Sequence, residues 1–198
     1  MINDFPLILQ LPELPTGCEV TALTMELNYY GYPVEKTELA GEYLPKMDME
    51  IYYENDVAYG NDLNQYFIGD PFSVNGYVCG IPALITATDA YLQDNGSSLR
   101  GRDISGASAE ELYGLVSEGK PVVVLVTISM EDRREIQGWY TENGDYVEWS
   151  SNDHGAVLIG YTNDTVTIAD PISGIVEYSK AQFESVYQSR GQKSMIIE

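Results

Sequence analysis

From Pro121 to the C-terminus the chain is written mainly as short strand-length segments, and this limits its architecture more than any other feature. Residues 122–129 open with the apolar run Val122-Val123-Val124-Leu125-Val126. That run has the length of a buried strand and falls far short of the roughly 20 residues that span a bilayer. Residues 154–161 and 165–169 form a predicted hairpin around Thr162-Asn163-Asp164. Residues 175–178 follow the turn Pro171-Ile172-Ser173-Gly174, a short helix is expected near 180–189, and 193–197 close the sheet. Strands joined this closely pair antiparallel. The regular strand–helix alternation and glycine-rich phosphate loop of a nucleotide-binding fold are both missing.

The first half carries helix signals instead. Thr16-Gly17-Cys18-Glu19 precedes apolar Val20, Leu23, Leu27 and Tyr30 at helical spacing, and Gly31 is a natural stop. Thr16 and Glu19 have the spacing of a capping box, in which the hydroxyl accepts from the backbone of residue 19 and the Glu19 carboxylate turns back toward Thr16. Further helices are expected at 82–93, with Pro82 in the first turn, and at 108–118, beginning near Ser108. Between them, 32–80 is rich in Tyr, Gly and Asp, with only short periodic pieces such as 34–44. The expectation is an α+β chain forming a single domain over 1–198, with a helical subregion at about 1–118 and a sheet subregion at about 119–198.

Charge removes several functions. Against 31 acidic residues stand 10 basic ones, a formal charge of −21, so no cationic footprint for nucleic acid or for an anionic membrane surface can be assembled. The acidity suits basic partners, although solubility alone accounts for it. At 44% hydrophobic the chain is too apolar for disorder. The start, Met1-Ile2-Asn3-Asp4, has neither the basic nor the apolar segment of a signal peptide. Two cysteines, Cys18 and Cys79, and a single histidine, His154, leave no metal-ligand spacing of the CxxC or HxxxH kind, so neither a metal nor an organic cofactor is expected. Whether the two cysteines form a disulfide is left open by the sequence.

Chemistry concentrates on few residues. A Thr16 cap puts Cys18 in the first helical turn, where unpartnered N–H groups and the helix dipole favour a thiolate and can also hold an oxyanion. Such help matters because an ordinary thiol, with a pKa near 8.5, is only a few per cent ionised at neutral pH. His154 begins one strand of the predicted hairpin and Asp170 ends the other. With a three-residue turn at 162–164, residue 154 faces 172 and Asp170 lies diagonally on the same sheet face. A two-residue turn would put the pair on opposite faces unless a bulge intervened. An acid beside His154 would orient the ring and select its tautomer. Cys18 precedes His154 by 136 residues, within the roughly 130–150 of papain-type enzymes. Gln10, eight residues before Cys18, is placed to donate a second oxyanion hydrogen bond. Cys79 has no base marked for it and is expected to be an inert buried thiol. Trp139, Trp149 and the 16 tyrosines are expected mostly to pack, although some could line a peptide groove.

The run from Gln10 to Leu23, with Pro15-Thr16-Gly17-Cys18-Glu19 at its centre, resembles the active-site segment of cysteine peptidases of the bacteriocin-leader-processing type, in their stand-alone, transporter-free bacterial branch. Leu27-Asn28-Tyr29-Tyr30-Gly31, Tyr43-Leu44-Pro45-Lys46, Phe67-Ile68-Gly69-Asp70-Pro71, Gly76-Tyr77-Val78-Cys79, the segment 154–161 and Asp170-Pro171 extend the resemblance in order over nearly the whole chain. The papain signature with Cys-Gly-Ser-Cys-Trp is absent. The resemblance implies a papain-like fold, with Cys18 as nucleophile, His154 as base, Asp170 as orienter and Gln10 as oxyanion donor. It also implies a peptide or protein substrate and an extracellular or cell-surface location. A thiolate–imidazolium pair of Cys18 and His154 is the expected resting state, remote carboxylates being screened within about 8 Å. Two other functions fit the same residues: an amidase or acyl-transferase acting on cell-wall peptides, and a non-catalytic peptide-binding module.

Overall fold

The structure is a computed structural model describing residues 1–198. Helix α1 (Cys18–Tyr29) is followed by a short turn, α2 (Lys36–Glu38), which runs on as a π-helical turn over Leu39–Tyr43. Four short strands come next: β1 (Lys46–Met47), β2 (Ile51–Glu54), β3 (Val57–Gly60) and β4 (Phe67–Ile68). Then come α3 (Ile81–Asp94), β5 (Gly101–Asp103), α4 (Ala109–Ser117), β6 (Val122–Thr127), β7 (Glu135–Tyr140) and β8 (Tyr146–Ser150). The chain ends with β9 (Asp153–Tyr161), β10 (Thr165–Asp170), β11 (Gly174–Ser179), α5 (Lys180–Ser189) and β12 (Ser194–Ile197).

A six-stranded antiparallel sheet in the order β11-β10-β9-β6-β12-β5 forms the body. The last strand therefore inserts between β6 and β5 and does not form an edge. Strands β6 and β9 are buried almost throughout, which explains the unbroken apolar run at 122–126, since a strand covered on both faces has no polar side to show. Helix α1 packs on β9 and β6 and is buried around its circumference, with Val20, Ala22, Leu23, Met25 and Leu27 fully enclosed. Its buried hydroxyls find partners on the helix itself: Thr21 Oγ1 donates to the Gly17 carbonyl and Thr24 Oγ1 to that of Val20, each at 2.7 Å. One contiguous apolar core runs from α1 and α3 through the sheet to α4 and α5. No helix is long and apolar enough to cross a membrane.

The division expected at about residue 118 does not describe the strands. β5 joins the main sheet from the first half, and β2 and β3 join β7 and β8 in a separate four-stranded sheet, with β3 parallel to β7. This small sheet has its own core of Ala58, Trp139 and Val147. Trp139 is fully buried there and donates through Nε1 to the Asn61 carbonyl at 2.7 Å, so it packs and lines no groove.

The β9–β10 hairpin places the site. Its turn has two residues, Asn163-Asp164, because the Thr162 N–H donates to the Thr165 carbonyl at 2.8 Å. Tyr161 then faces Val166 and Gly160 faces Thr167, one residue out of the expected register. A bulge follows: Leu158 faces Ile168 and Val157 faces Ala169, leaving Ile159 as the extra residue. The Ile159 carbonyl accepts the N–H of Ile2 at 2.8 Å. The two departures cancel, and the register expected from a three-residue turn is restored where it matters, at His154 and Asp170.

Candidate active site

The start of α1 differs from the capping box expected of it. Gly17 is the capping residue, no side chain caps the helix, and Cys18 is its first residue. Thr16 Oγ1 donates instead to the carbonyls of Ser73 at 2.9 Å and Asp70 at 3.4 Å. The 70–76 loop can come this close because residue 76 is glycine: a Cβ there would collide with Thr16 Oγ1. The cysteine still sits where helix N–H groups are free, since the first intrahelical bond runs from Thr21 N–H to the Gly17 carbonyl.

At the other side of the site, His154 Nε2 lies 3.1 Å from Asp170 Oδ2, and both side chains are almost wholly buried. Asp170 Oδ1 accepts the backbone N–H groups of Ile172 at 2.7 Å and Ser173 at 2.9 Å. Burial works against ionising this carboxyl, but the facing imidazole and those two N–H donors outweigh it and hold Asp170 below the ordinary carboxylate range. Nε2 is the ring atom turned to Asp170, in ion-pair contact rather than a formed hydrogen bond, and Nδ1 likewise has no hydrogen-bond partner.

His154 is also fixed from its N-terminal neighbour. Asp153 has a fully buried side chain. It accepts from Ser150 N at 3.1 Å and from Ser150 Oγ, and it lies 3.1 Å from Arg190 and 3.5 Å from Arg133. No periodicity marks this cluster. Its members lie in β8, β9, the 131–134 loop and the residue after α5, and only the fold collects them.

Gly155 joins the two halves. A Cβ at this position would lie 2.7 Å from Glu19 Cα and 3.0 Å from Glu19 N, so only glycine lets α1 settle against the strand bearing His154. The Gly155 N–H in turn addresses the Cys18 sulfur. Helix tip and histidine strand are therefore in direct contact.

The thiol, however, is not hydrogen-bonded to the ring. Cys18 Sγ donates to Glu19 Oε2 at 3.2 Å, and Glu19, which the capping box would have turned outward, is buried beside it. Burial first, and the Glu19 carboxylate second, push the Cys18 thiol well above its ordinary pKa, against the opposing N–H groups of Gly155 and Glu19. The sulfur thus faces the Glu19 carboxyl and not the imidazole, in surroundings that disfavour the thiolate. Glu19 itself is pushed up to about 7 by burial, against its own N–H, the Cys18 thiol, and the charges of His154 and Arg190.

Gln10 is buried close to the helix tip, on the loop that leads into it. Its Nε2 donates to the carbonyls of Leu14 at 3.1 Å and Pro15 at 3.0 Å, and its Oε1 has no partner. Both amide hydrogens are thus engaged by the loop rather than directed at a substrate position. Cys79 is a buried free thiol, as is Cys18, and no disulfide joins them. Burial, then Glu19 and Cys18, push the Cys79 thiol well above its ordinary pKa.

Comparison with known proteins identifies the fold and the family. The chain is 32% identical to a provisionally assigned C39-like peptidase from Bacillus anthracis, whose crystal structure superposes with a TM-score of 0.84 over 98% of this chain and 94% of the other. The peptidase domain of Streptococcus ComA, a bi-functional ABC transporter of a quorum-sensing pathway, superposes with a TM-score of 0.54 at 16% identity, over 98% and 96% of the two chains, and so shares the fold. The uncharacterized protein YvpB of Bacillus subtilis (strain 168) is 30% identical over 190 residues, which cover 94% of this chain and 71% of YvpB. The model of the peptidase C39-like family matches residues 2–195, nearly end to end, and the chain belongs to that family.

Proposed function

We propose that this chain is a cysteine peptidase that hydrolyses peptide bonds through an acyl-enzyme on Cys18. The observation that carries this reading is the buried 3.1 Å contact of His154 Nε2 with Asp170, which leaves Nδ1 free on the strand that touches the helix bearing Cys18. An imidazole held against a carboxylate, with its other ring nitrogen free, is the base-and-orienter arrangement that activates a nucleophile.

In the reaction, the Cys18 proton passes to His154 Nδ1 as Sγ attacks the scissile carbonyl carbon. The oxyanion forms at the tip of α1, where the Cys18 N–H lacks a helical acceptor. Gln10 Nε2 supplies the second hydrogen bond once it gives up the Leu14 or Pro15 carbonyl. His154 returns the proton to the departing amine, and the C–N bond breaks to leave a thioester. Water, with His154 as its base, then releases the acid and restores the thiol.

The test is a mass-spectrometric screen of a complex peptide mixture with wild type and Cys18→Ala side by side. New peptide termini are expected with wild type and a loss of at least about a thousandfold with the variant, the usual cost of removing such a nucleophile. Equal product sets from the two proteins, or a Cys18 that stays unmodified by an alkylating inhibitor at every pH, would reject the reading.

A further inference from the structure

Glu19 is a carboxylate where a thiol protease has no obvious need of one. It is 1% exposed, its Oε2 is the sole acceptor of the Cys18 S–H, and that contact is 3.2 Å. The charged or titratable groups that face it come from four separate stretches of the chain. Cys18 lies on its own helix, His154 on β9, Arg190 just beyond α5, and Cys79 just before α3. Arg190 is largely engaged by Asp153, so Glu19 has no cation of its own. Gly155 locks its backbone in place from below.

We propose that Glu19 is a catalytic residue: its carboxyl group decides, through direct contact with Cys18 Sγ, whether the sulfur faces an acceptor or a donor. As a carboxylate it accepts the S–H and opposes a second negative charge beside it, so the sulfur rests as a thiol. As a carboxylic acid it loses the charge that opposed a thiolate and gains an O–H that can donate to the sulfur. The S–H proton then has His154 Nδ1 as its free acceptor, and the thiolate formed receives the Glu19 O–H. Proton balance follows. With two protons among Cys18, His154 and Glu19, one sits on Nδ1 and one on Glu19, and the sulfur is a thiolate. Loss of one proton leaves the other on sulfur, with His154 neutral and Glu19 ionised. Burial, which pushes Glu19 up to about 7, puts this exchange in the neutral range. The nucleophile is therefore more available on the acid side of that value and less so above it, the reverse of an isolated thiol.

This inference rests on Cys18 being the nucleophile of the proposed peptidase, but its test needs no substrate. Ultraviolet absorbance of the thiolate and the rate of iodoacetamide modification at Cys18, identified by peptide mapping, are followed from about pH 5 to about pH 9. In wild type the Cys18 thiolate signal is expected to fall as pH rises through about 7 and to return only at alkaline pH. In Glu19→Gln the amide donates at every pH, so the fall disappears and modification near pH 8 rises by about tenfold, the effect of removing one adjacent charge. Glu19→Asp keeps the titrating group and should keep the fall. A wild-type signal that only rises with pH, or superimposable profiles for wild type and Glu19→Gln, would overturn the proposal. The wild-type measurement decides the matter even where a variant does not fold. Failure to find a cleaved peptide, with the profiles as expected, would reject the peptidase reading and leave the role of Glu19 standing.

Discussion

The end of the β9–β10 hairpin and helix α1 both bury carboxylates, and they handle them in opposite ways. Asp170 on β10 is given a partner for each oxygen, two backbone N–H groups on one and an imidazole on the other, and it stays ionised. On α1, Glu19 has only its own N–H and a thiol as donors, and Glu26, fully buried one heptad further on, makes no hydrogen bond through either oxygen and has a single N–H, that of Ile197, opposing its shift. Both glutamates are pushed up. Burial is common to all three, so depth does not decide charge; the supply of donors does. A hairpin corner exposes free N–H groups where the strand ends, whereas a helix interior has already used its own. The proposed mechanism takes one carboxylate from each setting, a fixed charge from the corner and a titrating group from the helix.

The largest expected effect comes from exchanging the donors around the corner carboxylate. In Asp170→Asn the amide oxygen must stay with the N–H groups of Ile172 and Ser173, which turns the NH2 toward His154 Nε2. The ring is then forced to put its proton on Nδ1, facing the sulfur, where a base is required. The expected loss is about three to four orders of magnitude in kcat, as for other orienting acids replaced by their amides, with the fold retained. Alkylation of Cys18 and circular dichroism check the two halves of that statement. Because the folded pKa of Asp170 is lowered, its contribution to stability is present above the unfolded value of about 3.9 and is lost as pH falls through the folded value. Wild type and Asp170→Asn should therefore converge in unfolding free energy as the solution is acidified. A gap that stays constant from neutral to strongly acid pH would mean that the corner does not stabilise the charge.

A smaller effect is expected at the joint between the two regions. Gly155→Ala places a methyl group 2.7 Å from Glu19 Cα and 2.9 Å from its Cγ, against backbone that cannot swing aside. The helix must lift from β9, at an expected cost of about 1–3 kcal/mol by denaturant unfolding. Displacing the nucleophile by a fraction of an ångström to one ångström should lower turnover by about a hundredfold. An alanine variant with wild-type stability and turnover would show that helix and hairpin meet elsewhere.

How much of this was readable in the sequence depends on how local the cause is. The core helices, strand β6 and the strands from β9 onward follow from periodicity, from Pro82 in the first turn of α3 and from Ser108 as the cap of α4. The His154–Asp170 pairing followed from register counting, although its route was different: a two-residue turn and a bulge at Ile159, each invisible in the pattern, compensate one another. The Thr16–Glu19 box failed because two long-range contacts, the 70–76 loop on Thr16 and Gly155 under Glu19, outweighed a local rule worth about 1 kcal/mol. The four-stranded sheet was missed for a related reason. Its halves, 51–60 and 135–150, are short, Tyr-rich and far apart in sequence, and neither is a stable hairpin until it meets the other.

The smallest of the expected effects tests the helix side alone. Glu26 takes no part in the proposed chemistry, yet it shares the setting of Glu19: α1, full burial and too few donors to offset it. Burial raises it well above the ordinary value, against a single opposing backbone N–H at Ile197. A group whose folded pKa lies above its unfolded one contributes stability that is complete below the unfolded value, about 4.3 for Glu, and is lost as pH rises toward the folded value. Glu26→Gln removes the titration and keeps the shape. Urea unfolding of the two proteins should therefore give curves that lie close together near pH 4 and separate as pH rises, the glutamine variant being more stable by at least about 1 kcal/mol near pH 8. If the separation shrinks with rising pH, the helix must stabilise a buried carboxylate as well as the hairpin corner does. The contrast between the two regions, and with it the reason for Glu19 to titrate near neutrality, would then be lost.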